Sequence, residues 1–290
     1  MDISVATIKA LREKTNAGMM DCKKALIETG GDMEKAVDWL RQKGLAVAAK
    51  RGDREVTEGQ IASYLDGTGK LGALAEVNCE TDFTGKTDEF GEFAAGVAKH
   101  VAVNNPGEAD LMCQAYINDP SKTVEDLLNE LRAKTGENVQ INRFARFDQG
   151  FVASYIHAGG KLGVLVEFAA EKDATAQSQE FAMFAKDVAM HIAASNPLCV
   201  TEAGLAPEVI EREREVYKAQ ALEQGKPEKI LDKIISGKMK KFISESCLLS
   251  QPFVKDTDKT VGDLLKEFQT AAGDQVQINR FARFVLGQKD

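Results

Sequence analysis

"ASYLDGTGKLGALAEVNCETDF" (62–83) is met again, without a gap, as "ASYIHAGGKLGVLVEFAAEKDA" (153–174), 91 residues further on. The register continues: "FGEFAAGVAKHVAVNNP" (90–106) matches "FAMFAKDVAMHIAASNP" (181–197). Further along, "TVEDLLNELRAKTGENVQINRFARF" (123–147) matches "TVGDLLKEFQTAAGDQVQINRFARF" (260–284), now with a shift of 137. The second copy therefore carries 46 extra residues between Pro197 and Thr260. A repeat of this length governs the fold, because whatever one copy forms the other must form too.

Each copy reads as strand, hairpin, strand, helix, helix, strand. In the first, "IASYL" and "LGALAEV" are short apolar runs joined by "DGTGK", a glycine-rich hairpin signal. Phe90, Phe93, Val97 and Val101 recur at helical spacing. "TVEDLLNEL" opens on a threonine cap with acidic residues in its first turn, and "NVQINRFARF" closes the copy as a strand. A few strands carrying two helices predict an α+β layer with the sheet covered on one face. The insertion, at 207–246, predicts two amphipathic helices broken at Gly225–Pro227 and folded as an antiparallel hairpin. Val209, Val216 and Tyr217 stripe its first helix; Ile230, Ile234 or Ile235, Met239 and Phe242 stripe its second. Such an arm is either a flap on its own domain or a surface for another protein.

Ahead of the repeat, Ser4 caps a first helix, "NAGMM" turns into a second, and Asp32 caps a third. These predict a three-helix bundle linked to the core through "KGLAVAAKRGDREVTEG". The expected boundaries are 1–54 for the bundle and linker, 55–148 for the first core subdomain and 149–290 for the second, with the arm at about 198–256.

Composition narrows the function. A net charge of −8 argues against direct nucleic-acid binding, which needs a basic surface. Five scattered cysteines with no CxxC spacing fit reduced, mostly buried thiols rather than a disulfide framework or a zinc site. No apolar run approaches membrane-spanning length, and "MDISVATIKALREK" lacks a signal-peptide core, so a cytoplasmic protein without membrane contact is expected. Gly67, Gly69 and Gly72 spell GxGxxG, but they lead into a strand, whereas phosphate binding needs a helix N-terminus. "RFARF" (143–147 and 280–284) interleaves arginine with phenylalanine, yet within an acidic protein it reads as sheet packing with arginines at the rim. His100 and His191 occupy matched helix positions, which points to a shared structural role; His157 stands alone at its hairpin. No metal ligands, catalytic residues or cofactor motif can be assigned.

One place separates the copies. Glu80, Asp82 and Thr84 are matched by Glu171, Asp173 and Thr175, but Thr81 is matched by Lys172 and Phe83 by Ala174. The fold does without an aromatic at this turn. Phe83 is either a core anchor offsetting the small Ala73 and Ala75 (Val164 and Val166 in copy two) or an exposed anchor for a partner's pocket.

Taken in order, "LREKTNAGMMDCKKAL", "EVNCETDF", "VAMHIAASNP", "SGKMKKF" and "QPFV" make the chain resemble the bacterial elongation factor Ts family over essentially its full length. The resemblance implies a ubiquitin-associated-like fold for the bundle and a coiled-coil arm. It implies a guanine nucleotide exchange factor, not an enzyme in its own right, whose partner is the GTPase elongation factor Tu. Thr81, Asp82, Phe83 and Thr84 would displace Mg²⁺ from that partner and disturb its phosphate loop, with Phe83 as the wedge. Arg12, Met19, Met20, Lys23, Gly136 and His157 would be further contacts, although Met19 and Met20 read equally well as core. Thr135 stands where isoleucine is common in the family. The arm is also a candidate surface for self-association. The rival readings are a ubiquitin-associated-type scaffold without exchange activity, and an enzyme using the glycine-rich hairpin.

Overall fold

A computed structural model describes residues 3–15, 19–40, 43, 54–224 and 227–288. The "NAGMM" turn lies partly, and the linker mostly, outside the described residues. The bundle comprises α1 (Val5–Thr15), α2 (Met19–Glu28) and a third helix, α3, in which residues 33–40 are helical. Ser4 and Asp32 cap α1 and α3 as expected: Thr7 N–H donates to Ser4 Oγ, and the amides of Glu34 and Lys35 donate to Asp32 Oδ1. Ile8, Leu11, Cys22, Ala25, Leu26 and Ala36 form the bundle's core.

The first copy runs β1 (Glu58–Leu65), β2 (Gly72–Cys79), the single turn α4 (Asp82–Gly85), α5 (Asp88–Asn104), β3 (Ala115–Tyr116), β4 (Asp119–Thr123), α6 (Val124–Thr135) and β5 (Val139–Phe147). The second repeats it as β6 (Phe151–His157), β7 (Leu162–Ala170), α7 (Asp173–Ala176) and α8 (Gln179–Ser195). After the arm helices α9 (Pro207–Glu223) and α10 (Glu228–Ser246) come β8 (Pro252–Phe253), β9 (Asp256–Thr260), α11 (Val261–Ala272) and β10 (Val276–Val285). Each copy is an antiparallel three-stranded sheet, β1-β2-β5 or β6-β7-β10, with β2 or β7 in the centre. The β3–β4 and β8–β9 hairpins are additions to the expected order.

Alternation along the central strands decides which face meets what. Ala73, Ala75, Val77 and Cys79 point into the core beneath α5 and α6, with Phe90, Val97 and Leu128. Val164, Val166 and Phe168 do the same beneath α8 and α11. The helices thus cover one face of each sheet, as expected, and the opposite faces are not open to solvent either. Ile61, Leu74 and Phe147 of one copy close against Val152, Leu165 and Phe284 of the other, so the two sheets share a second apolar layer.

The shared layer is nearly symmetric. Ile61 N–H donates to the Gly160 carbonyl at 2.8 Å, and its counterpart Val152 N–H donates to Gly69 at 2.7 Å. Ser63 and Ser154, equivalent in the repeat, meet at 3.2 Å. Here Arg143 of the first "RFARF" departs from the expected rim, whereas Arg280 of the second stays exposed. Arg143 donates to the buried Glu76 at 2.8 Å and lies over Phe284 of the other copy at 4.5 Å. Arg280 donates to Glu167 at 2.8 Å and lies over Phe147 at 4.3 Å. The second arginines, Arg146 and Arg283, donate to the Ala102 and Ala193 carbonyls near the ends of α5 and α8.

The matched histidines are fully buried. The Ile117 amide donates to His100 Nδ1 and the Val254 amide to His191 Nδ1, so each Nε2 carries the proton and donates to Gln114 or Gln251 at 2.9 Å. Burial lowers both pKa values from 6.5, against the opposing effect of the glutamine bonds. Below pH 6.5 the unfolded chain takes up protons that the folded chain refuses, so stability is full above that pH and falls as pH drops through the depressed folded values. Urea unfolding at pH 7.5 and 5.5 should show a smaller acid loss in His191→Gln than in wild type; equal losses would refute the buried-neutral assignment.

The arm is an antiparallel helix pair seated on Cys199, Leu205 and Cys247 through Ile210, Phe242 and Ile243. Its buried positions include Ala221, Leu231 and Met239, whereas Val209, Val216 and Ile230 are exposed. Of the expected stripes, Met239 and Phe242 on the second helix are packed, whereas Val209 and Val216 on the first are not; Lys238 lies over Tyr217 and donates to Gln220 across the pair. All five cysteines are free, four of them buried and Cys113 exposed.

Candidate functional site

Strand β2 ends at Cys79, and the chain turns through Glu80 and Thr81 into α4. Thr81 has extended backbone and caps the turn, its Oγ1 accepting from Thr84 N–H at 3.3 Å. The cap alone is weak, and a second group fixes it. Glu137, just past α6, accepts the amides of Glu80 (3.1 Å) and Thr81 (3.0 Å) on Oε2, and the hydroxyls of Thr81 and Thr84 (both 2.6 Å) on Oε1. Burial opposes the charge on Glu137, but these four bonds outweigh it and hold its carboxyl below the usual range. On the other side Gln60 Nε2 donates to the Gly85 carbonyl at 2.6 Å. Gly59 makes this seat: it has φ +131°, and a Cβ there would fall 2.1 Å from the Val77 carbonyl.

At the tip of this fixed turn Phe83 is 82 % exposed, which excludes the core-anchor alternative. Asp82 is held by Lys86 at 2.5 Å, and that bond, joined by the nearby charge of Lys161, keeps its carboxyl below the ordinary value. Thr84 is buried, its hydroxyl committed to Glu137. Gly136 ends α6 in the left-handed conformation (φ 76°), which aims the following Glu137 at the turn. Thr135 turns its hydroxyl back to the Leu131 carbonyl.

The His157 hairpin lies beside the same turn. Ala158, Gly159 and Lys161 share a cleft of about 140 Å³ with Asp82 and Lys86. His157 is exposed, its Nδ1 bonded to the Tyr155 hydroxyl at 2.9 Å. The structure thus brings together residues 81–84, Gly136 and the His157 hairpin, which are far apart in sequence. On the bundle, Arg12, Met20 and Lys23 are exposed while Met19 packs against the core. Among the described residues, no three His, Cys, Asp or Glu side chains are grouped to hold a metal ion, and no helix is long and apolar enough to cross a membrane.

Sequence reasoning missed Glu137. The signal was present: an acid follows the helix-ending glycine in both copies, as Glu137 and Asp274. It also missed the joint with the linker, where Glu80 accepts from Arg54 and from the Asn138 amide, and Asn138 Nδ2 donates to the Arg54 carbonyl.

Residues 80–288 match the family described as "Elongation factor TS". The chain is 50 % identical to "Elongation factor Ts" of Trichlorobacter lovleyi, covering 99 % of this chain and 94 % of that one. The chain belongs to the elongation factor Ts family. Further relatives named "Elongation factor Ts" come from Clostridium perfringens (48 % identical, 99 % and 93 % covered) and Nitratidesulfovibrio vulgaris (48 %, 99 % and 97 %). Membership makes the chain a translation elongation factor of protein biosynthesis. The turn at 81–84 falls within the matched region, whereas the bundle precedes it.

Proposed function

We propose that this chain binds elongation factor Tu in its GDP form and accelerates GDP release, acting in the cytoplasm as an exchange factor without a nucleotide site of its own. The observation that carries the reading is the exposed Phe83 on a turn held from both sides, at the position where the copy without this role has Ala174. An apolar ring presented on a fixed turn suits insertion into a partner's packed helices. Beside it Asp82 carries negative charge, the sign that competes with phosphate and carboxylate ligands for a magnesium ion. Displacement of Mg²⁺ and loosening of the phosphate loop then weaken GDP, and by linkage GDP weakens the factor's hold on its partner. Arg12, Met20 and Lys23 on the bundle, and Gly136 and His157 near the turn, supply further contact area in this reading.

The test is release of a fluorescent GDP analogue from elongation factor Tu with and without this chain. An unchanged release rate would sink the exchange reading and leave the scaffold alternative. In the same assay, His157→Ala should leave the melting temperature unchanged and raise the half-saturating concentration about five-fold, as loss of a rim contact worth about 1 kcal/mol predicts. If His157→Ala leaves that concentration unchanged, the hairpin lies outside the contact.

A further inference from the structure

We infer that Glu137 is a positioning residue for the exchange site: its carboxylate holds the Thr81–Phe83 turn in the conformation that presents the phenyl ring. This rests on the exchange reading above. A helix of four residues has too few internal bonds to hold its own shape. What holds α4 comes from elsewhere: four donors converge on one ionised carboxylate, and bonds to an ionised acceptor are the strong kind. Two of those donors are backbone amides at the end of β2, so the carboxylate fixes the main chain itself.

The second copy is the built-in control. Asp274 replaces Glu137 and is one methylene shorter; it takes the Lys172 amide at 3.2 Å and a bond from the Thr175 side chain, the counterpart of Thr84, so copy two keeps part of the clamp. Lys172 has no hydroxyl to offer at the Thr81 position, and its Nζ donates instead to the Gly273 carbonyl. The turn still forms there, as α7. The fold therefore does not require the four-donor clamp. Positions 81, 83 and 137 differ together between the copies, and two of the three, Thr81 and Glu137, bond directly. The fuller clamp, with the Glu80 amide and the Thr81 hydroxyl added, accompanies the aromatic tip. Its physical use is preorganisation: a ring on a loose turn would lose conformational freedom on insertion, and a ring on a fixed one has little left to lose.

Glu137→Gln tests this in the full chain, because its amide NH₂ would confront donors where Oε2 now accepts. Amide hydrogen exchange at Glu80 and Thr81 should accelerate by about ten-fold or more while the central β2 amides stay protected. In GDP release from elongation factor Tu, the half-saturating concentration should rise about ten-fold with the maximal rate within about two-fold of wild type. In a Phe83→Ala background the same change should add less than about two-fold, because Glu137 acts through that ring. Effects that multiply fully, or unaltered Glu80 and Thr81 protection, would overturn the inference. Should Gln unfold the chain, Glu137→Asp, the residue with which copy two folds, should shift half-saturation the same way by about three-fold; no shift would overturn it equally. A wild-type chain that releases no GDP defeats the exchange reading instead, and the amide measurement, which needs no partner, still decides whether Glu137 holds the turn.

Discussion

Phe83→Ala should lower the maximal rate of GDP release from elongation factor Tu by roughly thirty-fold or more, the loss expected of an aromatic anchor worth at least about 2 kcal/mol. The melting temperature should hardly move. At 82 % exposure the ring has almost no burial to lose, and copy two already builds the turn with Ala174. A buried phenylalanine would behave in the opposite way, with truncation costing about 3–5 kcal/mol of stability and exchange per folded molecule unchanged. Stopped-flow GDP release and a thermal melt on one preparation separate the two outcomes. A large fall in melting temperature at normal exchange would place Phe83 in the core and remove the wedge from the mechanism.

Arg143→Ala should be the most destabilising change at the junction of the copies, costing roughly 3–5 kcal/mol in urea unfolding. Glu76 is fully buried. With the guanidinium gone, Asn78 Nδ2 and the Gly287 amide still donate to Oε1, but Oε2 loses the Arg143 bond and the charge has no counter-ion beside it. The Val285 carbonyl loses a donor and Phe284 its cationic cover. Arg280→Ala should cost less, because Arg280 is 45 % exposed and water can replace part of what it does. Replacing Glu76 and Arg143 together by methionine should recover much of the loss, since the penalty is the stranded charge rather than the missing bond. A cost below about 1 kcal/mol for Arg143→Ala would mean that the pair contributes little to joining the copies.

What could be read beforehand was whatever is local or duplicated. Thr123 with Asp126 and Thr260 with Asp263 form the same capping box in each copy, and "DGTGK" forms a hairpin in which Asp66 collects the amides of Lys70 and Leu71. These signals act within a few residues, so spacing reveals them. The β3–β4 hairpin escaped because "DPSKT" is polar throughout and shows no alternation of burial to betray a strand. The covering of the second sheet face escaped for a different reason. Along "VQINRFARF" the side chains that meet the other copy include arginines, and arginine carries no sign in sequence of whether its charge ends in water or on a buried glutamate. Glu137 was hidden similarly: one acid among many, its importance lies in donors 53 to 57 residues away. At the turn itself, comparing the copies singled out Phe83 because the fold supplied its own reference; nothing comparable existed for Arg12 or Lys23 in the unrepeated bundle.

The near-symmetric contact between the sheets has the form of an isologous interface, in which one patch meets its own equivalent across a two-fold axis. Arg143 on Phe284 and Arg280 on Phe147 are one contact written twice, as are the Ile61–Gly160 and Val152–Gly69 bonds. The core is in effect a homodimer whose protomers have been joined end to end, and the join keeps each half at a high effective concentration for the other. In a true homodimer every substitution arrives in both protomers at once, so a wedge on one side would be a wedge on the other. Joined in a single chain, the halves are released from that constraint: one could acquire Phe83 and its clamp while the other kept Ala174 and took on the arm.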